Sequence, residues 1–299
     1  MELRHLDTLL AIDEAGSFTG AADALATVQS NVSEHIRQLE EELGAPLLLR
    51  GRRGAQPTEF GVVVLERARR VRRELEAMKA DLSMLQGLET GYASFGIVGT
   101  ASRWMVPALV ADLRARAPGV HLRITEGASE RLATKLLDRE LAQAVVTEPM
   151  TDPRLVVEHL LEETMVGVVD RDVDLGPEPV ELARLAGIPM ILPPPANPLR
   201  AEIEAAARAA GVELSVPLEV EGIRLIADLV AAGAGASVLP ETAVPSQMPE
   251  LRAVRLVDLP PRRLALISAR DAHLSLADRA ARDAVRRLIA AHLAERTSG

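Results

Sequence analysis

Gln29, Ser30, Asn31 and Ser33 place four hydrogen-bonding side chains within five residues, at the head of the apolar run Val32, Ile36, Leu39 and Leu43. That run recurs at 4, 3 and 4, one face of a helix, and Gly44 closes it. Amide side chains so placed can meet an adenine edge bidentately, and a serine hydroxyl can meet a base or a phosphate. Solvation of a helix start uses Ser30 and Asn31 equally well. A little further on, Arg50, Arg52 and Arg53 fall within four residues around Gly51 and Gly54, with no acid until Glu59. A glycine-bounded basic turn is a natural hairpin tip. Together with Arg37 it offers guanidinium groups for positioning on phosphates, or it is a solvated loop.

A second group has anion chemistry. Thr100, Ala101 and Ser102 follow an apolar run, Ser94–Val98, and open a helical segment. Hydroxyls and free backbone N–H groups at a helix start can hold a carboxylate. Simple N-capping explains Ser102 as well.

Other chemistry is excluded. There is no cysteine, so disulfides, thiolate metal sites and cysteine nucleophiles are absent. The six histidines are scattered, with no two three to five residues apart, so no metal site is expected. No Gly-x-Ser-x-Gly, no phosphate loop ending in Gly-Lys-Ser/Thr and no cofactor fingerprint is present, so no catalytic residue is assigned. Aromatics are only 2% of the chain, too few for stacking platforms on single-stranded nucleic acid. No apolar run approaches the roughly 18 residues of a membrane span. The acids Glu2, Asp7, Asp13 and Glu14 argue against a signal peptide, so a cytoplasmic protein is expected.

The elements that must position these groups read in order. Leu3, Leu6, Leu9 and Leu10 lie at helical spacing up to Gly16. Ser17 is a cap for a short helix with Phe18, Ala21, Ala22 and Leu25 on its apolar face. Ala26-Thr27-Val28 is a turn, with Thr27 a second cap. Two helices joined by about three residues, with small alanines where they cross, are a helix-turn-helix or an ordinary helical hairpin. Net charge is −9 for the chain, yet nine arginines and five glutamates between His35 and Arg73 leave that stretch at +4. Local positive charge is what phosphates sense over a Debye length of about 10 Å.

Pro57 and Thr58 open a long helix. Val64, Ala68, Val71, Leu75, Met78, Leu82 and Leu85 are spaced 4, 3, 4, 3, 4, 3, a heptad seam flanked by charge. So polar a helix needs its stripe covered, by a second copy or by its own domain; the narrow stripe favours a second copy. From Gly91 onward, short apolar runs alternate with helical segments. The expected strands are 94–98, 120–125, 143–147, 163–169, 188–192, 213–220, 236–239, 252–257 and 264–269. The expected helices are 102–115, 129–137, 180–185, 197–210, 222–232 and 275–294. Such alternation predicts mainly parallel sheets in two small α/β lobes, with ligands at strand C-termini or between lobes.

Residues 1–61 resemble the winged helix-turn-helix of LysR-type transcriptional regulators. The resemblance is carried by Gly16-Ser17-Phe18-Thr19, Ala21-Ala22, Leu25, Gln29, Ser33, Ile36, Leu39-Glu40, Leu43-Gly44, Leu47, Arg50, Thr58-Glu59 and Gly61. It continues more weakly through Pro118-Gly119-Val120, and through 229–235 followed by Leu239-Pro240. It departs at Val28, Ser30, Glu34, Leu48, Pro57, Gln143 and Gly222, where the family usually has other residues.

The resemblance implies an α-rich winged head at 1–57 and a dimerising linker helix at 58–90. It implies an α/β effector domain at 91–299, two-lobed like periplasmic binding proteins. Lobe I covers about 91–161 and 267–299, and lobe II about 162–266. It implies a homodimer or homotetramer on a double-stranded operator, an interrupted palindrome with half-sites about one DNA turn, ~34 Å, apart or a multiple of it. It puts a small-molecule inducer between the lobes at Thr100–Ser102, with Thr147 and Asn197 as matching candidates across the cleft. Capping explains Asn197 equally well. An enzyme carrying a DNA-binding head, a ligand-independent architectural DNA binder and a periplasmic solute binder are the competing readings.

Overall fold

The computed structural model describes residues 1–51, 54–85, 91–245 and 247–298. The chain divides into two compact units, 1–82 and 83–299.

The first unit begins with α1 (Leu3–Ala15), α2 (Phe18–Ala24) and α3 (Gln29–Leu43). Leu9, Leu10, Ile12, Ala21, Ala22, Val32, Ile36 and Leu39 are buried in one core, so the periodic positions are the packing positions. Ser17 caps α2 by accepting the Gly20 N–H at 3.1 Å. Thr27 does not cap α3. The cap position is Val28, with no side-chain bond to the helix start, and Thr27 Oγ1 instead accepts from Asn31 Nδ2 at 3.0 Å.

β1 (Leu48–Gly51) and β2 (Gly54–Pro57) form an antiparallel hairpin in which Gly51 faces Gly54. Two glycines clip this wing in place. The Ala55 N–H donates to Gly16 O at 3.0 Å, and a Cβ on Gly54, at φ +103°, would lie 2.3 Å from that oxygen. α4 (Glu59–Leu85) starts at Thr58, whose hydroxyl donates to Pro46 O and accepts from the Gly61 N–H at 3.0 Å. A Cβ on Gly61 would lie 2.0 Å from Leu47 O, so only glycine lets α4 rest on the wing strand.

A side chain outside the apolar pattern completes this corner. Glu40 Oε1 accepts from the N–H groups of Leu47 at 2.7 Å and Leu48 at 3.2 Å. Charge-assisted bonds of this kind are worth about 1.5–3 kcal/mol. Glu40→Ala is expected to lower head stability by about that amount, read as a lower urea midpoint at unchanged m-value.

The second unit has two cores. A five-stranded sheet of order β4-β3-β5-β12-β6 comprises β3 (Gly91–Ile97), β4 (Val120–Glu126), β5 (Gln143–Thr147), β6 (Leu155–Glu163) and β12 (Arg262–Ala269). It packs with α5 (Gly99–Arg116), α6 (Ser129–Leu137) and α9 (Leu276–Ser298) around Phe95, Met105, Leu132 and Leu266. α5 and α9 also meet where the indole of Trp104 stacks on His292, ring centroids 4.8 Å apart. The fully buried Gln143 donates to Asp278 O at 2.7 Å and so ties β5 to the start of α9.

The other core gathers β7 (Met165–Asp170), β8 (Ile191–Leu192), β10 (Ser237–Pro240) and β11 (Leu251–Arg255) with α7 (Pro198–Ala210) and α8 (Ile223–Ala231), and the exposed β9 (Leu218–Glu219) pairs with β8. The chain passes between the cores at Thr164 and again after Leu259, before β12.

The expectation of mainly parallel sheets is corrected. β3 runs parallel to β4 and β5, but β12 is antiparallel to β5 and β6. β10-β7-β11 is wholly antiparallel. The chain returns through β6 and β12 to close the first sheet, a long-range pairing that local alternation does not encode. No helix among the described residues is long and apolar enough to cross a membrane.

Candidate functional sites

In the first unit, Gln29, Ser30 and Asn31 stand exposed at the start of α3, and Ser33 is half-buried. Because no side chain caps α3, its first N–H groups remain available to an anion. Asn31 is bonded back to Thr27, and Gln29 Oε1 lies at the 3.5 Å limit of a bond from Thr19.

Arg37 is not a free cation. Its Nε donates to Glu34 at 2.8 Å, and Nη1 pairs with Glu41. Hydrogen bonds from Arg37 and then Gln38 draw the Glu34 carboxyl down to about 2, so it is ionised at neutral pH. Three of its five N–H donors are used in this way, so two remain for a phosphate, against the negative charge of its partners.

Behind α3, Thr8 donates to Arg4 O at 2.7 Å. Its single proton spent, it accepts from His35 Nδ1 at 2.9 Å. Burial holds the His35 imidazole below its ordinary range, which keeps this anchor neutral. The side chain of Arg50, with Arg52 and Arg53, lies outside the described residues.

The seam on α4 divides in two. Ala68 is buried in the head's own core and Val64 packs against it. Leu75 is half-buried, whereas Val71, Met78 and Leu82 are 38%, 52% and 52% exposed. The side chain of Leu85 lies outside the described residues.

In the second unit a cleft of about 340 Å³ opens where four helices begin. Gly99 and Thr100 of α5, Ser129 of α6, Pro198 and Leu199 of α7, and Ile223 of α8 all line it. β3 delivers α5 and β4 delivers α6, so the cleft sits at strand C-termini as such folds require. α5, α6 and α8 have no side-chain cap; α7 is capped by Asn197, which accepts the Leu199 N–H at 3.0 Å. Four positive helix ends favour an anion. The charged lining is mixed: Arg131 and Arg262 against Glu126 and Glu221.

Of the five residues expected here, Thr100 and Asn197 line the cleft. Ala101, Ser102 and Thr147 are buried outside the lining; Ser102 Oγ turns back to Gly99 O at 3.0 Å. The Thr147 N–H donates to Ser129 Oγ at 3.1 Å, so Thr147 holds a lining residue in place. Ser129, Arg131 and Arg262 were missed. Ser129 has the signature that drew attention to Ser102, a hydroxyl where a strand hands over to a helix. Arg262 carries no local signal.

Models of known families match both units. The bacterial regulatory helix-turn-helix protein, lysR family, covers residues 3–62, and the LysR substrate binding domain covers 86–290. The nitrogen assimilation regulatory protein nac of Klebsiella aerogenes is 31% identical over 247 residues, 82% of this chain and 80% of that protein. The probable HTH-type transcriptional regulator LrrA of Synechococcus elongatus is 32% identical over 257 residues, 85% of each chain. Full-length CbnR, solved in complex with its target DNA, shares the fold with a TM-score of 0.72 at 23% identity, covering 96% of this chain and 99% of that one. These relatives are transcriptional regulators rather than enzymes. The chain belongs to the LysR family of transcriptional regulators, with that family's helix-turn-helix and substrate-binding domains.

Proposed function

We propose that this regulator grips an interrupted-palindrome operator as a homodimer or a homotetramer, and that a small anion in the cleft sets its affinity for DNA or the bend it imposes. A head at 1–57, a linker helix at 58–90 and an effector domain at 91–299 divide the work. Gln29, Ser30, Asn31 and Ser33 face base edges, and Arg50, Arg52 and Arg53 hold phosphates. The observation that carries the effector half is the meeting of four helix N-termini on one cleft. An anion that favours one lobe spacing shifts the population of that spacing, which two joined copies transmit to DNA.

The test is a fluorescence-anisotropy titration of a footprinted operator, with and without small carboxylates, paired with sedimentation velocity. A ligand-dependent change in operator affinity or in sedimentation is the expected result. The arginine assignment makes a separate prediction. Arg52→Ala and Arg53→Ala weaken binding to all sequences and each lower the salt slope by about 1, whereas Gln29→Ala relaxes sequence preference. Anisotropy at several salt concentrations on operator and scrambled duplexes reads both effects.

A further inference from the structure

Arg262, the first residue of β12, is 7% exposed and lies between two cavities. On one side is the cleft, lined by Thr100; on the other is a second cavity of about 340 Å³, lined by Glu202. Arg262 lines both. Its Nη1 donates to Thr100 Oγ1 at 3.1 Å, and its Nε lies 3.3 Å from Glu202 Oε2 without a hydrogen bond to it or to any other group. Thr100 opens α5 in the first core, whereas Glu202 lies on α7 against the second. One guanidinium therefore spans the two cores at the floor of the cleft.

Three consequences follow from this placement. Thr100 Oγ1 accepts from Arg262, so its own proton is left to donate into the cleft. Arg262 is buried while Glu202 is 37% exposed, so the desolvation cost falls on the guanidinium, and its misaligned Nε leaves that cost partly unrepaid. A planar carboxylate in the cleft can offer the guanidinium the aligned contact that Glu202 does not. Burial pushes the Glu202 carboxyl upward, against the pull of Arg262.

We propose that Arg262 is the residue of the cleft that selects a carboxylate ligand, held ready by Glu202 behind it and drawn toward the ligand in front. This rests on the cleft being the effector site. Arg262 adds a charge-reading group to the four helix ends, and its shift away from α7 is the event that changes the spacing of the lobes. Two carboxylates also line the cleft, the exposed Glu221 and Glu126, whose Oε1 lies 3.1 Å from where a Cβ on Gly99 would stand at the start of α5; they oppose a second negative charge, which restricts the rest of the ligand to neutral or cationic groups.

The test uses the full chain with acetate, phenylacetate and the zwitterion β-alanine as probes, acetamide and phenylacetamide as uncharged isosteres, and calorimetry with thermal melting as readouts. Arg262→Met, Glu202→Gln and the double variant are compared, the double variant controlling for a buried charge left without its partner. Glu202→Gln is expected to bind the tightest carboxylate about tenfold more strongly than the parent. Arg262→Met and the double variant are expected to lose more than about tenfold, and the amides to give no response. Arg262→Met melting lower but binding carboxylate with the parent's affinity overturns the proposal, and leaves the cleft as the effector site. Amides binding as well as acids, or none of the carboxylates binding the parent or Glu202→Gln, also overturn it. The cleft reading itself is judged separately, by whether any compound that alters operator affinity loses its effect in Ser129→Leu, which blocks the cleft without touching Arg262.

Discussion

The double substitution Met78→Glu, Leu82→Glu is expected to convert the assembly to protomers and to cost operator affinity about a hundredfold or more. Both side chains are half exposed on one stripe of α4, with Val71 about two turns before Met78. A 27-residue helix with glutamates, arginines and a lysine between its seam positions gains little from its own sequence unless that stripe is covered. Four carboxylates brought together in a paired seam cannot be desolvated, so the pairing fails. The affinity loss follows because a dimer binds its second half-site at a high effective concentration, a gain of 10² to 10⁴ that a protomer forfeits. Sedimentation equilibrium and anisotropy measure the two consequences. A variant that remains dimeric with full affinity removes the seam from the account. Ala68 is a useful contrast: it is buried in the head's own core, so Ala68→Glu should unfold the head rather than merely separate the copies.

The second large effect belongs to the wing. Gly61→Ala puts a methyl group 2.0 Å from the Leu47 carbonyl, and Gly54→Ala puts one 2.3 Å from the Gly16 carbonyl. Both obstructions are backbone, so neither can be relieved by a rotamer change. At Gly54 the left-handed backbone adds strain for any residue with a Cβ. Overpacking of this kind costs about 1–3 kcal/mol. For a head of fewer than 100 residues that is roughly a 5–20 °C fall in its own melting transition. Because the head and the effector unit are separate compact units, the effector transition should stay in place in the same calorimetric scan. A single transition that moves as a whole would show that the two unfold together.

The head was largely legible because its signals are local. Helical period, the serine before α2 and the glycines after α1 and α3 act within a few residues, and they match the elements. Helix 129–137 and strand 143–147 have the bounds expected of them for the same reason. Where tertiary pairing decides, the reading failed. β6 was not anticipated because Glu158, His159 and Glu162 interrupt its apolar residues; as the outer strand of the first sheet it needs to bury only one face. The expected strand 213–220 reduces to Leu218–Glu219, since Pro217 cannot donate to a ladder. The expected helix 180–185 shrinks to a 3₁₀ turn at Leu182–Leu185, because Val180 bridges to Leu256 instead.

The candidate cleft was half legible. Thr100 and Asn197 announce themselves as polar residues at helix starts. Arg262 stands at the start of a strand more than 160 residues from Thr100, and only the closing of the sheet brings them together. The ion pairs of Arg37 show the converse: Glu34 and Glu41 sit three and four residues away and were in plain view.

The stacked pair of Trp104 and His292 has a practical consequence. It contains the only indole in the chain, and the only phenol, Tyr92, also lies in the 83–299 unit. The head is thus spectrally blank above 280 nm, and intrinsic emission excited at about 295 nm originates two residues beyond Ser102 on α5. The protein carries an unlabelled optical reporter at the cleft-bearing helix, one that can follow small-molecule binding while DNA is titrated onto a part of the molecule that contributes no light.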